Sequence, residues 1–324
     1  MWWLLRKQRK VLKKIFKLLR IFFLFLAFNF LTACYSLKVA SEFSSLYLSK
    51  RPVSVVLKDK NTSDFEKEKL RELEAVLSFA RQEGLTPGGS YSDYIKLDRK
   101  EVSYSVMAAK PYKLESKTWW FIFVGSVPYI AFFSKKERDN KALELENEGY
   151  DIYKGRVSAF SGLGFFDDPL FSSMLDEEKG FFAAVFFHEL THKTLWVKGS
   201  PRFNENLASF AEEVLNEKYL LSLKETKALS DYKLYKQDKK IFKTWLAKLE
   251  KSLRLLYKKG SKLKPFQLEQ EKASVFSEFT VKKRAKFKKY DFIGKRAWNN
   301  ARVLANSLYS PNFKDFRKAY SCYK

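Results

Sequence analysis

The feature that most restricts the fold of this chain is the placement of its only two histidines, His188 and His192. They flank a glutamate in the run His188-Glu189-Leu190-Thr191-His192. Side chains four residues apart lie on one face of an α-helix, so a helix here would present both imidazoles to one metal ion. Glu189 would then lie beside that metal, where it can take a proton from an attacking water.

The flanking residues favour this helix. A spacing of four and three residues marks one stripe of an amphipathic helix, formed by Phe181, Val185, His188, His192 and Leu195. Gly199 and Pro201 are expected to end it. The alternative is a core helix that carries two hydrogen-bonded histidines by chance. We disfavour it, because burying a glutamate beside two histidines without a metal is costly.

A catalytic zinc site needs a third protein ligand and an open fourth position. A second helical segment begins near Asn204-Glu205, after a connection over residues 197–203. Two helices joined by so short a connection can pack antiparallel, which would bring Glu205 onto the face of His188 and His192. We therefore predict one Zn²⁺ per chain, bound by these three residues, with Glu189 as the catalytic base.

Glu212 shares a helical stripe with Glu205 and Ser209. It would either orient one of the imidazoles or be an ordinary surface acid. A third histidine ligand is excluded because the sequence has no other histidine.

The amino terminus predicts export. Residues 1–20 carry eight basic residues and no acid, and the mostly apolar run 21–33 follows. Leu31-Thr32-Ala33-Cys34 then reads as a lipobox, with Cys34 as the acylated first residue of the mature protein. The apolar run is short for a membrane span, although an uncleaved anchor is the alternative. We expect a signal peptide over 1–33 and one domain over 34–324, anchored by lipid in the bacterial envelope. Tyr35, rather than Asp, favours the outer membrane, facing the periplasm.

The formal net charge of +25 would ordinarily suggest a nucleic-acid partner. We expect no nucleic acid, because the chain is exported and its basic residues interrupt helical apolar stripes. Residues 223–297 contain 23 Lys and Arg against 8 Asp and Glu. A solvated helical face would account for this excess, and attraction to anionic lipid head groups is the alternative.

The paired motifs His188-Glu189-x-x-His192 and Asn204-Glu205-x-x-Ala208-Ser209-Phe210 resemble those of the gluzincin metallopeptidases. Only twelve residues separate His192 from Glu205, a shorter spacer than in thermolysin-like or aminopeptidase-N-like enzymes. The chain is more similar to a bacterial family of predicted lipoprotein aminopeptidases. That resemblance covers most of the chain after residue 34, through Ser90-Tyr91-x-x-Tyr94, Trp120-x-x-x-Val124-Gly125-x-Val127-Pro128-Tyr129, Ala159-Phe160-Ser161-x-Leu163-Gly164 with Asp168-Pro169, and Asn299-Asn300-Ala301-Arg302.

Strands in the first half and helices after Glu178 indicate an α+β fold. As in zincins, we expect a small sheet over the active-site helix and a mostly helical carboxyl-terminal half. Helices are expected over 64–83 and 136–147, a buried strand over 119–124 and a short strand over 156–161.

The resemblance implies a zinc peptidase acting on a peptide substrate, most simply an aminopeptidase. The alternative is a catalytically silent envelope lipoprotein that keeps the fold for binding or assembly. In zincins an edge strand before the metal helix pairs with the peptide, and here residues 157–162, including Ala159, occupy that place, unless they form a structural turn. Candidates for the oxyanion donor are Tyr309, Tyr219, Tyr129, Arg302 and Asn300, and acids that could hold the substrate amine are Asp167, Asp168 and Glu212.

Overall fold

The computed structural model describes residues 38–39, 41–121, 125–157, 167–260, 263–281, 297–307 and 313–322. The expected signal peptide, Cys34, Ala159 and Tyr309 lie outside the described residues. Most of the expected edge strand over 157–162 also lies outside them.

The described part combines short strands with long helices, which confirms the α+β class. The strands are β1 (Arg51–Pro52), β2 (Asp93–Ile95), β3 (Ser103–Ala109), β4 (Trp119–Phe121), β5 (Gly125–Val127), β6 (Ile130–Phe132), β7 (Asp151–Val157) and β8 (Leu170–Phe171). The helices are α1 (Val53–Lys58), α2 (Asp64–Gln82), α3 (Lys135–Asn147), α4 (Lys179–Thr194), α5 (Pro201–Ser222), α6 (Thr226–Gly260), α7 (Pro265–Val281), α8 (Asn300–Ser307) and α9 (Lys314–Cys322). A 3₁₀ turn, Ser172–Met174, follows β8.

The strands form three small sheets. In the first, β2 lies between β1, which is antiparallel to it, and β8, which is parallel. In the second, β3 lies between β6 and β7, both antiparallel, and the pairing with β7 runs in register from Ser103↔Val157 to Ala109↔Asp151. β4 and β5 form an antiparallel pair.

The largest apolar core lies where α2, α4 and α5 meet the first sheet. Its buried side chains include Leu70, Ile95, Phe171, Phe186 and Phe187. A second core joins α6, α7 and α8 around Trp245 and Trp298, and a third packs α3 on the second sheet. Because one face of α4 is buried in the largest core, that burial determines which other face of α4 contacts α5.

The expected helices over 64–83 and 136–147 agree with α2 and α3 to within one residue. The strand expected over 119–124 is present as β4 through Phe121, and residues 122–124 lie outside the described residues. The described part of this strand is not fully buried as expected: Trp120 is 58 % exposed, and among the described strands β4 pairs with the short β5 alone. Within the described residues, no helix is both long and apolar enough to cross a membrane.

The amino terminus of α2 makes an acid-sensitive contact. Ser63 and Glu66 form a capping box, and Glu66 also accepts hydrogen bonds from the Tyr94 hydroxyl (2.7 Å) and Lys96 Nζ (3.2 Å). Burial opposes the charged form of Glu66, but these hydrogen bonds outweigh it and lower the pKa from 4.5 to about 2. The charged form is therefore bound more favourably in the folded state than in the unfolded state.

We expect the contact at Glu66 to stabilise the protein above pH 4.5 and to be lost as the pH falls from 4.5 toward 2. The contribution is at most ~3 kcal/mol. Glu66→Gln should lower the free energy of unfolding near neutral pH and leave a smaller difference between pH 7 and pH 3 than in the wild type. Urea unfolding of both proteins at the two pH values measures this; an equal pH dependence would contradict it.

Candidate metal and active site

Helices α4 and α5 run antiparallel, as their short connection predicts. Near the start of α4, the Gly180 carbonyl accepts a hydrogen bond of 2.9 Å from Asn216, which lies late in α5. At the other end, His192 meets Glu205, which lies early in α5. The antiparallel packing therefore places the end of α4 beside the start of α5, so that side chains from the two helices meet there.

His188, His192 and Glu205 converge between these helices. One ligand atom from each lies within 4.8 Å of the other two, so this group could bind a metal ion. Glu205 reaches both imidazoles, with its two carboxylate oxygens 3.6 Å from Nε2 of His188 and 3.5 Å from Nε2 of His192. The rings of His188 and His192 meet edge to face, with their centroids 5.0 Å apart.

The donor types of this group are compatible with a zinc centre. Bonds near 2.0–2.1 Å from imidazole nitrogen and carboxylate oxygen place neighbouring ligand atoms about 3.3 Å apart. The contacts of Glu205 with the two histidines are slightly longer, and each is made by a different carboxylate oxygen. Two imidazoles and one carboxylate are also the donor types that a catalytic zinc site uses.

His188 has a second acidic neighbour. Its Nδ1 lies 3.2 Å from Oε2 of Glu212, on the side of the ring opposite the nitrogen that faces Glu205. Burial opposes a charge on His188, but hydrogen bonds to Glu205 and Glu212 raise its pKa to about 10. Glu212 thus contacts the imidazole as an orienting partner would, rather than lying on the surface.

His192 is more deeply buried than His188. Its burial, together with the nearby charge of His188, lowers its pKa. A neutral imidazole is the form that binds metals. The edge of the Trp196 ring lies against it, with centroids 5.5 Å apart, and forms an aromatic border to the group.

Glu189 projects from the same helix and is partly buried. Burial raises its pKa to about 6, and the carboxylates of Asp168, Glu205 and Glu212 add to this, while the charge on His188 opposes it. A carboxyl group whose pKa lies near the working pH can both accept and return a proton.

Tyr91 lies near Glu189. Its ring meets Phe186 of α4 edge to face, with centroids 5.0 Å apart. Burial raises its pKa well above the usual value, and the charges of Glu189 and Asp168 contribute. Its φ of +67° is rare for a tyrosine, and such backbone strain occurs preferentially at functional sites. The backbone N–H of Tyr91 donates to the Asp168 carbonyl, which fixes this loop against residues 167–168.

The connection between α4 and α5 differs from the expectation. α4 ends at Thr194, before Gly199, so Leu195 lies outside the helix and is exposed. The helix ends early because the chain reverses direction between α4 and α5. Gly199 has a φ of +75°, which permits a turn, and Pro201 begins α5.

Asn204 closes this connection, a role that its sequence position did not reveal. Its side chain is fully buried, accepts a hydrogen bond from the Val197 N–H (2.9 Å) and donates to the Val197 carbonyl (3.0 Å). Because Glu205 is the next residue, this contact sets where its carboxylate emerges. The adjacent Asn-Glu pair was the available signal, but only a folded connection shows what the asparagine contacts.

We expect Asn204→Ala to lower the free energy of unfolding by ~2–3 kcal/mol, because two hydrogen bonds are lost and the Val197 N–H is left without its acceptor. Metal binding should weaken as well, since the start of α5 loosens. Thermal unfolding and metal titration of the variant measure both effects. Arg202→Ala, a change at an exposed position two residues earlier in the same helix, serves as the comparison, and equal losses in both variants would contradict the assigned role.

Several other candidate residues are occupied elsewhere. Asn300 donates both amide hydrogens, to the carbonyls of Lys110 and Pro111, and accepts from Tyr257. No N–H of its side chain therefore remains for an oxyanion. The Arg302 guanidinium lies 4.3 Å from the ring centroid of Trp298 in the second core.

The tyrosine and aspartate candidates are placed as follows. Tyr219 packs against Phe79 and Phe187 in the largest core. Tyr129, between β5 and β6, is 40 % exposed. Asp167 pairs with Lys193 at 3.1 Å, whereas Asp168 is buried and close enough to raise the pKa of Glu189.

Fold and site together define an α+β chain with a two-histidine, one-glutamate cluster that could bind a metal ion and a partly buried glutamate beside it. A sequence model of the family described as "Putative aminopeptidase" matches residues 34–324, and the chain belongs to that family. No curated protein and no solved structure matches it.

Proposed function

We propose that this protein is a zinc-dependent peptide hydrolase, most simply an aminopeptidase. One observation carries the proposal: His188, His192 and Glu205 converge within 4.8 Å, and Glu189 lies beside them, in the same helix as the two histidines. Family membership supports peptidase chemistry. A purely structural metal site would have no use for the carboxyl group of Glu189.

His188, His192 and Glu205 would hold the zinc ion. Glu212 would fix the orientation of the His188 ring through Nδ1, leaving Nε2 for the metal. When bound, zinc acts as a Lewis acid on the peptide carbonyl and makes water a stronger nucleophile at neutral pH.

The proton transfers fall to Glu189. Its carboxylate would accept a proton from the attacking water and pass it to the nitrogen of the leaving amine. The pKa of about 6 in the metal-free protein is consistent with both steps, because the group can gain and lose a proton near neutral pH. Partial burial of the side chain limits competition from solvent protons.

The test is hydrolysis by the full-length protein in a neutral detergent. Aminoacyl-anilides report removal of a single terminal residue, and internally quenched peptides with blocked ends report internal cleavage. We expect release from the unblocked substrates, loss on treatment with a chelator and recovery with added Zn²⁺. No chelator-sensitive cleavage of either substrate class would favour a catalytically silent binding protein.

We also propose that residues 34–324 form one domain, exported and anchored to the envelope through lipid on Cys34. The support is the basic segment, apolar run and lipobox in the order that bacterial lipoprotein signals require. The family match begins at the same cysteine. In a Gram-negative host, Tyr35 favours the outer membrane, with the domain facing the periplasm.

If Cys34 is acylated, the protein should incorporate labelled fatty acid and fractionate with membranes, and Cys34→Ala should remove the label. Cys322→Ala, which changes the only other cysteine, is the matched control and should keep the label. If Cys34→Ala changes neither labelling nor leader length, and both proteins fractionate as integral membrane proteins, the first 33 residues are an uncleaved anchor.

A further inference from the structure

A cationic cleft lies between α5, α6 and α9. Its volume is about 770 Å³, and seven basic side chains but only two acidic ones line it. Helix α6 supplies five of the basic residues, and α9 supplies Lys314 and Arg317. The excess of basic residues seen in the sequence is thus gathered in part around a concave surface.

The two acids of the cleft already have partners. Glu213 lies 3.1 Å from Lys236 and 3.5 Å from Arg317, and Glu217 lies 2.7 Å from Lys236. These contacts tie α5 to α6 and α9 and neutralise Lys236 and Arg317. They leave little negative charge for the remaining lysines.

Four lysines of α6 therefore face the cleft without a carboxylate partner: Lys233, Lys239, Lys240 and Lys243. Within the part of the chain that the structure describes, none of them lies within 4.0 Å of an acid. Lys239 and Lys243 are half-buried and lie over the faces of Tyr235 and Phe313 respectively, each 5.7 Å from the ring centroid.

This arrangement is unfavourable for the protein alone. Lys236, Lys239, Lys240 and Lys243 are spaced three and four residues apart, so like charges are neighbours on the helix surface. Burial, and next the charge of Lys239, lower the pKa of Lys243 to about 8, and the more distant charges of Glu213 and Glu212 only partly oppose this. A solvated face would hold these side chains apart in water rather than around a cleft.

The chemistry of the lining indicates the kind of anion. Arginine offers a planar fork that suits both carboxylates and phosphates, but the only arginine lining the cleft is paired with Glu213. Lysine also binds phosphate, as a point charge, and several lysines can converge on one multiply charged group. The volume exceeds that of a single carboxylate and accommodates a phosphate with an attached substituent.

We propose that the cleft formed by α5, α6 and α9 binds a phosphate-bearing ligand through Lys239, Lys240 and Lys243. This binding site is separate in chemistry from peptide hydrolysis. The phosphate could belong to an anionic lipid head group or to a free phosphate compound, and the two sources share the same recognition by lysine.

The test is calorimetric titration of the full-length protein in a neutral detergent at low ionic strength. Inorganic phosphate is one probe, and dihexanoylphosphatidylglycerol, a soluble short-chain lipid, is the other. The zwitterionic dihexanoylphosphatidylcholine controls for the acyl chains. We expect saturable binding of at least one anionic probe with one site per chain. If dihexanoylphosphatidylglycerol binds more tightly than inorganic phosphate, the natural ligand is a lipid head group. If inorganic phosphate alone binds, the natural ligand is a free phosphate compound.

The decisive comparison uses two triple variants of α6 with equal loss of charge. Lys239→Gln, Lys240→Gln and Lys243→Gln together should weaken binding roughly tenfold or more. Lys248→Gln, Lys251→Gln and Lys258→Gln, exposed positions outside the cleft, should stay within about twofold of the wild type.

Absence of saturable binding, or equal weakening in both triple variants, overturns the proposal. If the first triple variant fails to fold, the single variant Lys243→Gln provides the same comparison against Lys248→Gln. Peptide hydrolysis measured alongside separates this proposal from the peptidase function, because the cleft variants should retain chelator-sensitive activity.

Discussion

Replacing Glu189 with Gln should abolish peptide hydrolysis while leaving metal content unchanged. The amide has nearly the same shape as the carboxyl group, so α4 and its packing against α5 are preserved. It cannot accept a proton from water, so the loss should appear in kcat and not in folding. General-base catalysis contributes roughly 10²–10⁴-fold, and a decrease of that size is expected.

Steady-state kinetics and zinc analysis of the same preparation test this prediction. Glu144→Gln, an exposed change on α3, is the matched control and should behave as the wild type. Residual activity of Glu189→Gln within tenfold of the wild type, ~1.4 kcal/mol of barrier, is too much for a lost general base. That result would show that a group other than Glu189 accepts the proton.

The helix pair and its cluster could be predicted because the signals are local. The spacing of His188 and His192 requires a helix, and a connection of a few residues leaves few ways for the next helix to pack. The contact between Glu205 and both imidazoles follows from those two constraints. The contact of Glu212 with His188 was left open by the sequence, because a stripe position does not tell which neighbour lies opposite.

Contacts between distant segments escaped prediction. Asn300 was a candidate for an oxyanion donor, but its amide joins carbonyls 189 and 190 positions away in the sequence. Trp120 was expected to be buried because its segment is apolar, yet its side chain is 58 % exposed, whereas the neighbouring Trp119 packs against the third core. A polar or aromatic residue can have a structural role or a functional role, and its contacts in the folded protein show which role it has.

The role of the basic residues of α6 also could not be predicted from the sequence. Its charge and its apolar stripes are evident in the sequence, and the core positions Leu246, Leu249 and Leu253 are indeed buried. The concave arrangement of Lys239, Lys240 and Lys243 depends on α5 and α9 as well. A solvated face and a binding cleft therefore cannot be told apart before the helices are assembled.

The ligand assignment is tested most directly by comparing Glu205→Ala with Glu212→Ala. We expect wild-type protein to contain about one zinc per chain. Glu205 reaches both Nε2 atoms, so its removal takes away one of three ligands and leaves two imidazoles to hold the ion. Zinc affinity should fall by more than the roughly 10–100-fold that loss of an orienting partner causes.

Glu212→Ala should fall within that smaller range, since His188 keeps its metal-facing nitrogen but loses the contact that fixes its ring. Glu213→Ala, the adjacent acid that instead contacts Lys236 and Arg317, controls for the loss of a charge on α5 and should retain zinc. Zinc analysis after dialysis against graded concentrations of a competing chelator orders the three variants. Full zinc occupancy in Glu205→Ala, together with loss in Glu212→Ala, would exchange the roles of the two glutamates. The proposed centre would then be bound by His188, His192 and Glu212, and Glu205 would be the residue that positions the imidazoles.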